Sequence, residues 1–159
     1  MRIIELVPWR IACDCEATSR IYGSGFIGKA DQCDCEHCLN FAAVRDEVYP
    51  AGVRNVFEQM GIDFRKESEI FYVHSIPPGR HLYGGEFKFI GTVQYIDESY
   101  RPSEEMPGVL KLVEVTENFS WAFSDDKVGP YAKIPGYHHR AYISFNVIVP
   151  WVLEAEEPK

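Results

Sequence analysis

Three cysteines and a histidine lie within six positions of the segment DQCDCEHCLNF, residues 31–41. Cys35 and Cys38 have the C-x-x-C spacing of a metal-binding knuckle, in which thiolates converge on one ion. Cys33 precedes them at the predicted start of a helix. Thiolates bind zinc well, and a structural zinc site takes four ligands. The segment therefore predicts a structural zinc site that needs one further ligand.

The fourth ligand is predicted to come from the preceding hairpin or from the cluster itself. Cys15 is the first candidate, with Cys13 or His37 as alternatives. A standard zinc ribbon has two C-x-x-C knuckles, whereas this chain has C-x-C followed by C-x-C-x-x-C. Cys13 and Cys15 are two residues apart in a predicted strand and would share one face of it. Both can equally be small apolar side chains of the core.

Thiol exchange by Cys35 and Cys38 is an alternative use of the same segment. A helix N-terminus lowers the pKa of a thiol and favours the reactive thiolate. The acidic residues between the cysteines act in the opposite direction, because they disfavour a further negative charge. The chain also lacks the βαβ unit of a thioredoxin-like site. Nucleophilic catalysis would need a base, for which His81 and His138 are the candidates, and no pattern links either to a cysteine.

A second concentration of polar and aromatic residues is GRHLYGGEFKF, residues 79–89. Arg80, His81 and Tyr83 are predicted to line a ligand-binding site, in which glycines let the backbone approach an anion. The alternative is that the glycines let aromatic rings pack across neighbouring strands. The histidine pair at 138–139 is predicted to be a solvent-exposed loop pair, because adjacent side chains point in different directions.

Composition limits the class of protein. The chain has 159 residues, 46% of them hydrophobic, and a formal net charge of −8. This length and apolar content predict a single domain, residues 1–159. The negative charge disfavours binding to nucleic acids and to anionic membranes. No apolar run is long enough to span a membrane and the start does not resemble a signal peptide, so a cytoplasmic protein with free or metal-bound thiols is expected.

Two consecutive helices are predicted in the first half of the chain. The first runs from Asp34 to about Val48 and ends before Pro50, because the residue preceding a proline avoids helical angles. The second covers 53–60, where apolar residues recur at positions i, i+3, i+4 and i+7. Gly61 follows as a helix stop. Two short amphipathic helices of this kind are expected to cover a sheet.

The remainder of the chain predicts strands. Thr18–Arg20 is predicted as a turn between two of them, and the segment 101–108 as a loop. The predicted strands are 2–7, 9–17, 21–28, 69–76, 86–96, 109–116, 118–123 and 141–149. The fold class expected is therefore α+β, with a mainly antiparallel sheet, open barrel or sandwich covered by the two helices.

The segments CEHCLNFAAVRDEVYP, GIDFRKESEIF and HLYGGEFKFIG together resemble a family of small uncharacterised bacterial proteins. The resemblance covers residues 35–91 and lies in a C-x-x-C-x-N-F helix start, a Tyr-Pro pair and an LYGG-aromatic segment. It implies a shared fold and no particular activity. The positions that it implicates are Cys35, Cys38, Asn40, Phe41, Tyr49, Pro50, Gly61, Tyr83, Gly84 and Gly85.

Two functions are consistent with these patterns. The first is a non-enzymatic domain with a structural zinc and an aromatic groove for a protein or small-molecule partner. The second is a small thiol-active enzyme or redox protein using Cys35 and Cys38. The sequence favours the first, because the acidic flanks oppose a reactive thiolate. An exposed edge strand could in addition pair two copies into a homodimer.

Overall fold

The computed structural model describes residues 1–127 and 140–159 and has an α+β fold with an open sheet, which confirms the predicted fold class. None of the described helices is long and apolar enough to cross a membrane. The helices are α1 (Cys15–Tyr22), α2 (Glu36–Val48) and α3 (Ala51–Met60). The strands are β1 (Arg2–Leu6), β2 (Trp9–Cys13), β3 (Glu69–Ile76), β4 (Arg80–Tyr95), β5 (Val113–Thr116), β6 (Phe119–Asp125) and β7 (Arg140–Pro150).

The sheet is built around the long strand β4. The strand order is β1-β2-β4-β7-β6-β5, and β3 also pairs with β4. Every pairing among the described strands is antiparallel. β3 pairs with the first half of β4 and β2 with its second half, so β4 joins two parts of the sheet. This arrangement places the C-terminal strand β7 in the middle of the sheet.

Aromatic side chains fill the space between the sheet and the helices. Tyr49, at the end of α2, contacts five other aromatic rings, with centroid distances of 5.7–5.9 Å. Phe145 of β7 stacks on Phe119 of β6 at 5.8 Å. Such contacts add to the free energy gained by burying apolar area. The core therefore forms from strands and helices distant in sequence.

The strand predicted from residue 9 is present as β2 but ends at Cys13, and the prediction for residues 14–28 was wrong. The helix α1 covers the predicted turn and the start of the predicted returning strand, and residues 23–28 are not a strand. The Asp14 side chain caps this helix by accepting a hydrogen bond from the backbone N–H of Ala17 at 2.9 Å. Thr18 is buried, and its hydroxyl accepts from the backbone N–H of Ile90 at 3.0 Å. Residues 1–127 and 140–159 thus contain three α-helices, and Cys13 and Cys15 do not share a strand.

The two predicted helices are present as α2 and α3. α2 begins at Glu36, two residues after the predicted cap, with Cys35 in the cap position. α3 ends at Gly61, which adopts the left-handed conformation with φ of 79°. Only glycine does so without a steric cost, so this stop signal was correctly interpreted.

The segment 79–89 belongs to a single strand that is longer than predicted. β4 begins at Arg80 and continues through both glycines of the LYGG segment. The ring of Phe71 lies against Gly84 and the ring of Phe145 against Gly85, where a Cβ would be 2.4 Å from each ring. The glycines therefore make room for aromatic rings on neighbouring strands, as the alternative interpretation expected.

Candidate metal centre

The cysteine cluster lies where an irregular segment enters α2. A 3₁₀ turn at Lys29–Gln32 precedes it, Cys33 has an extended backbone, and Cys38 lies in the first turn of α2. The backbone N–H groups at this helix end have no partners within the helix and favour negative charge nearby. The fold therefore presents three sulfur atoms close to a helix N-terminus.

A buried ion-pair network holds the 3₁₀ turn against α2. Arg45 of α2 contacts Asp31 at 2.9 Å and the fully buried Glu67 at 3.2 Å. Glu67 also accepts a hydrogen bond from the backbone N–H of Ala30 at 2.8 Å. Arg45 therefore joins α2 to the segment that precedes the cysteines.

The sulfur atoms of Cys33, Cys35 and Cys38 all lie within 4.8 Å of one another. Those of Cys33 and Cys35 are 3.2 Å apart. Cys35 is exposed, and the other two are half-buried. All five cysteines of the chain are free thiols. In a tetrahedral site with metal–sulfur bonds of about 2.3 Å, two sulfur ligands lie about 3.8 Å apart, so shifts of no more than about 1 Å would allow these three sulfur atoms to coordinate one ion.

The thiols of Cys33 and Cys38 differ in acidity. A hydrogen bond to the backbone of Cys35, together with hydrogen bonds to the other two thiols, lowers the pKa of Cys33. Burial, together with the neighbouring sulfur atoms, raises the pKa of Cys38 to about 12. Cys33 is therefore the first of these two to become a thiolate and the first to attract a cation.

The other predicted ligands lie elsewhere. Cys15 is at the start of α1, where its thiol donates to the backbone oxygen of Cys13 at 3.7 Å. Cys13 is buried beside Thr18 and Met60, and burial raises its pKa to about 12. The ring of His37 stacks on Tyr72 at 4.0 Å. The structure thus brings together three of the four predicted ligands, and within the described ranges no fourth Cys, His, Asp or Glu joins the group.

Of the three residues predicted to bind a ligand, one is exposed and two are buried. Arg80 is exposed at the start of β4. Tyr83 is buried and donates its hydroxyl proton to the backbone oxygen of His37 at 2.8 Å, which ties β4 to α2. His81 is fully buried and contacts a carboxylate of the C-terminal segment. The histidine pair at 138–139 lies outside the described residues.

Sequence reasoning missed the partners of His81 and of Arg45. The hydroxyl of Tyr72 is 3.0 Å from Nδ1 of His81, and Glu157 is 2.7 Å from Nε2. Glu157 lies in the acidic stretch 154–159, whose composition is typical of a solvated tail, and no pattern connects it with a residue 76 positions earlier. One sequence feature could have indicated the ion pair between Arg45 and Glu67, namely an arginine on the apolar side of a predicted helix.

No protein-family model, curated protein or solved structure matches the chain. The site must therefore be interpreted from its own chemistry. Three thiolates at a helix N-terminus form a soft ligand set, which suits zinc, copper(I) or iron–sulfur chemistry better than magnesium or calcium. The same thiols can form disulfides, because two of the sulfur atoms are already close together.

Proposed function

We propose that this protein is a non-enzymatic metal-binding domain in which Cys33, Cys35 and Cys38 hold a structural zinc ion. The convergence of three sulfur atoms within 4.8 Å carries the proposal. Zinc prefers thiolate ligands and has no redox chemistry of its own. It takes four ligands, so the fourth position belongs to a group other than these three thiolates.

The zinc ion would fix a short irregular segment of the chain to the start of α2. Residues 33–35 have no regular secondary structure, and Cys38 lies on α2. A metal bound to all three sulfurs joins this segment to the first turn of the helix. Binding requires loss of the thiol protons, so the affinity for zinc rises with pH. A reducing compartment such as the cytoplasm, the predicted location, would keep the thiols available.

The test is metal analysis of protein purified without a chelator. We expect one zinc per chain in the wild type and a large loss of zinc in Cys35→Ser. Cys35 is exposed, so this substitution does not disturb the core. The matched control is Cys15→Ser, which changes a half-buried thiol outside the cluster and should keep the zinc.

Thermal unfolding gives a second measurement of the same proposal. Free zinc at 100 times its Kd should stabilise the folded state by about 2.7 kcal/mol, provided that the unfolded chain does not bind it. The stabilisation should disappear in Cys35→Ser and persist in Cys15→Ser. Equal zinc content and equal stabilisation in the two variants would contradict the assignment of the ligands.

The alternative function is thiol–disulfide exchange, which the lowered pKa of Cys33 favours. The Cys33 thiolate would attack a disulfide in a partner, forming a mixed disulfide and releasing one partner thiolate. Attack by Cys35, 3.2 Å away, would then release the second partner thiolate and leave a Cys33–Cys35 disulfide. The partner is reduced and this protein is oxidised by two electrons. Sequence reasoning assigned the exchange to Cys35 and Cys38, whereas the geometry favours Cys33 as the nucleophile.

Reduced protein purified without a chelator separates the two functions. Exchange with a small disulfide that is fast in the wild type and lost in Cys33→Ser, together with no bound zinc, would support the alternative. Retained zinc and slow exchange support the metal site, since thiolates bound to the ion are less available to attack a disulfide.

A further inference from the structure

His81 is a buried histidine with both ring nitrogens engaged. It is 0% exposed and lies near the start of β4. Nδ1 is 3.0 Å from the hydroxyl of Tyr72, and Nε2 is 2.7 Å from a carboxylate oxygen of Glu157. Tyr72 belongs to the neighbouring strand β3, whereas Glu157 is near the end of the chain. The imidazole therefore binds a carboxylate that reaches it from outside the sheet.

The segment carrying Glu157 lies across the domain in the manner of a bound peptide. Residues 151–159 contain no helix or strand. Asn40 of α2 holds the beginning of the segment, since it donates to the backbone oxygen of Pro150 at 3.0 Å and accepts from the N–H of Val152 at 2.8 Å. The ring of Trp151 packs on His81 at 5.5 Å. One aromatic ring and one carboxylate thus attach the segment beside the same histidine.

The apolar core is complete without this segment. Among the described residues, the buried hydrophobic core ends at Val149 in β7. Glu157 is 42% exposed, so its carboxylate meets His81 at the surface of the protein. Release of the segment would therefore uncover His81 and leave the packing of sheet and helices intact.

A further polar atom lies on a ring that packs against Tyr72 and Trp151, the two rings that also contact His81. The ring of His37 stacks on Tyr72 at 4.0 Å and meets Trp151 edge-on at 6.2 Å. Its Nδ1 is buried and forms no hydrogen bond with any residue that the structure describes. A buried polar atom without a hydrogen bond destabilises the folded state, and a ligand that supplied the bond would remove that cost. The site thus combines an engaged imidazole, a tyrosine hydroxyl and an unsatisfied ring nitrogen.

We propose that His81 and Tyr72 form a carboxylate-binding site, which Glu157 of the C-terminal segment occupies and from which an external carboxylate can displace it. The ligand is a small carboxylate or an acidic chain segment, because both present the same group to Nε2. This inference is independent of the proposed metal site, since none of the three thiols takes part in it.

The test uses the full-length chain with Glu157→Ala and follows the His81 ring nitrogens by ¹⁵N NMR. Acetate should produce a saturable shift of the His81 signals in this variant, and sodium chloride at equal ionic strength should not. In the wild type the response to acetate should be about tenfold weaker, because the attached carboxylate competes at an effective concentration in the millimolar range. Glu156→Ala removes the neighbouring exposed carboxylate and should behave as the wild type.

A second probe distinguishes the source of the carboxylate. A peptide of residues 152–159 that saturates the variant at a lower concentration than acetate supports a chain segment as the ligand. Saturation by acetate alone supports a small carboxylate. The proposal is overturned if neither probe shifts the His81 signals of Glu157→Ala, or if the wild type and both variants respond to acetate equally.

Discussion

Cys33 and Cys38 are close together and have opposite changes in acidity. Hydrogen bonds lower the pKa of Cys33, whereas burial raises that of Cys38 to about 12. Three thiolates in one place repel one another unless a cation is present. A bound cation offsets this repulsion and allows all three sulfurs to ionise.

We expect Cys33 to react with iodoacetamide at a lower pH than Cys38 or Cys13 in the metal-free protein. A thiol is protonated and unreactive below its pKa, and burial raises the pKa of Cys13 to about 12 as well. Alkylation rates between about pH 6 and pH 10, measured peptide by peptide with mass spectrometry, would show the order. Faster labelling of Cys38 than of Cys33 would contradict the description of the cluster.

Arg45→Met should destabilise the protein by about 3–5 kcal/mol, because it leaves the buried Glu67 without its cation. Burial already raises the pKa of Glu67. Glu67 therefore binds a proton more readily in the folded protein than in the unfolded chain. The loss of stability caused by Arg45→Met should become smaller as the pH falls, because Glu67 then becomes neutral. Urea unfolding at several pH values measures both effects.

The control is Arg65→Met, which breaks the exposed pair with Asp46 and should cost much less. The double variant Arg45→Met/Glu67→Leu should recover part of the stability, because it removes the buried charge. A single variant Arg45→Met with the stability of the wild type at neutral pH would contradict the role assigned to this network.

At the level of elements, local patterns predicted the helices α2 and α3 and most of the strands. The spacing of apolar residues and the stop at Gly61 predict α3. The alternation of apolar and polar residues predicts β3, β6 and β7. α1 was missed, because period-two alternation in residues 9–17 concealed a helix that is determined by the Asp14 cap and by the burial of Thr18 against β4. The extent of β4 was also missed, since glycines usually weaken a strand.

Gly85→Ala should destabilise the protein by about 1–3 kcal/mol through overpacking. A Cβ at this position would be 2.4 Å from Cζ of Phe145 and 2.8 Å from the backbone oxygen of Glu69. Phe145 cannot move easily, because its ring stacks on Phe119 and Phe87. Chemical denaturation measures the change in free energy of unfolding.

Gly52→Ala is the matched control for this prediction. Gly52 lies in α3, where a Cβ would meet none of the described residues within 4 Å apart from its chain neighbours and the adjoining helix backbone. The substitution should stabilise the protein by about 0.4–1 kcal/mol, because alanine restricts the unfolded chain. Equal effects of the two substitutions would contradict the packing described for β4.

At the scale of the whole molecule, contacts between residues far apart in sequence determine which side chains come together at each site. The spacing of Cys33, Cys35 and Cys38 is local, and the sequence predicted their convergence. The location of Cys15 depends on α1, and the contact between His81 and Glu157 depends on β7 delivering the C-terminal segment to β4. Neither follows from periodicity or spacing, since each requires the pairing of strands far apart in sequence.

X-ray absorption spectroscopy of the zinc-loaded protein tests the central claim most directly. The fine structure at the zinc edge reports the type, number and distance of the ligand atoms. We predict three sulfur atoms at about 2.3 Å and one lighter ligand, with one sulfur lost in Cys35→Ser. A first shell of oxygen and nitrogen alone, or of four sulfur atoms, would contradict the site formed by Cys33, Cys35 and Cys38.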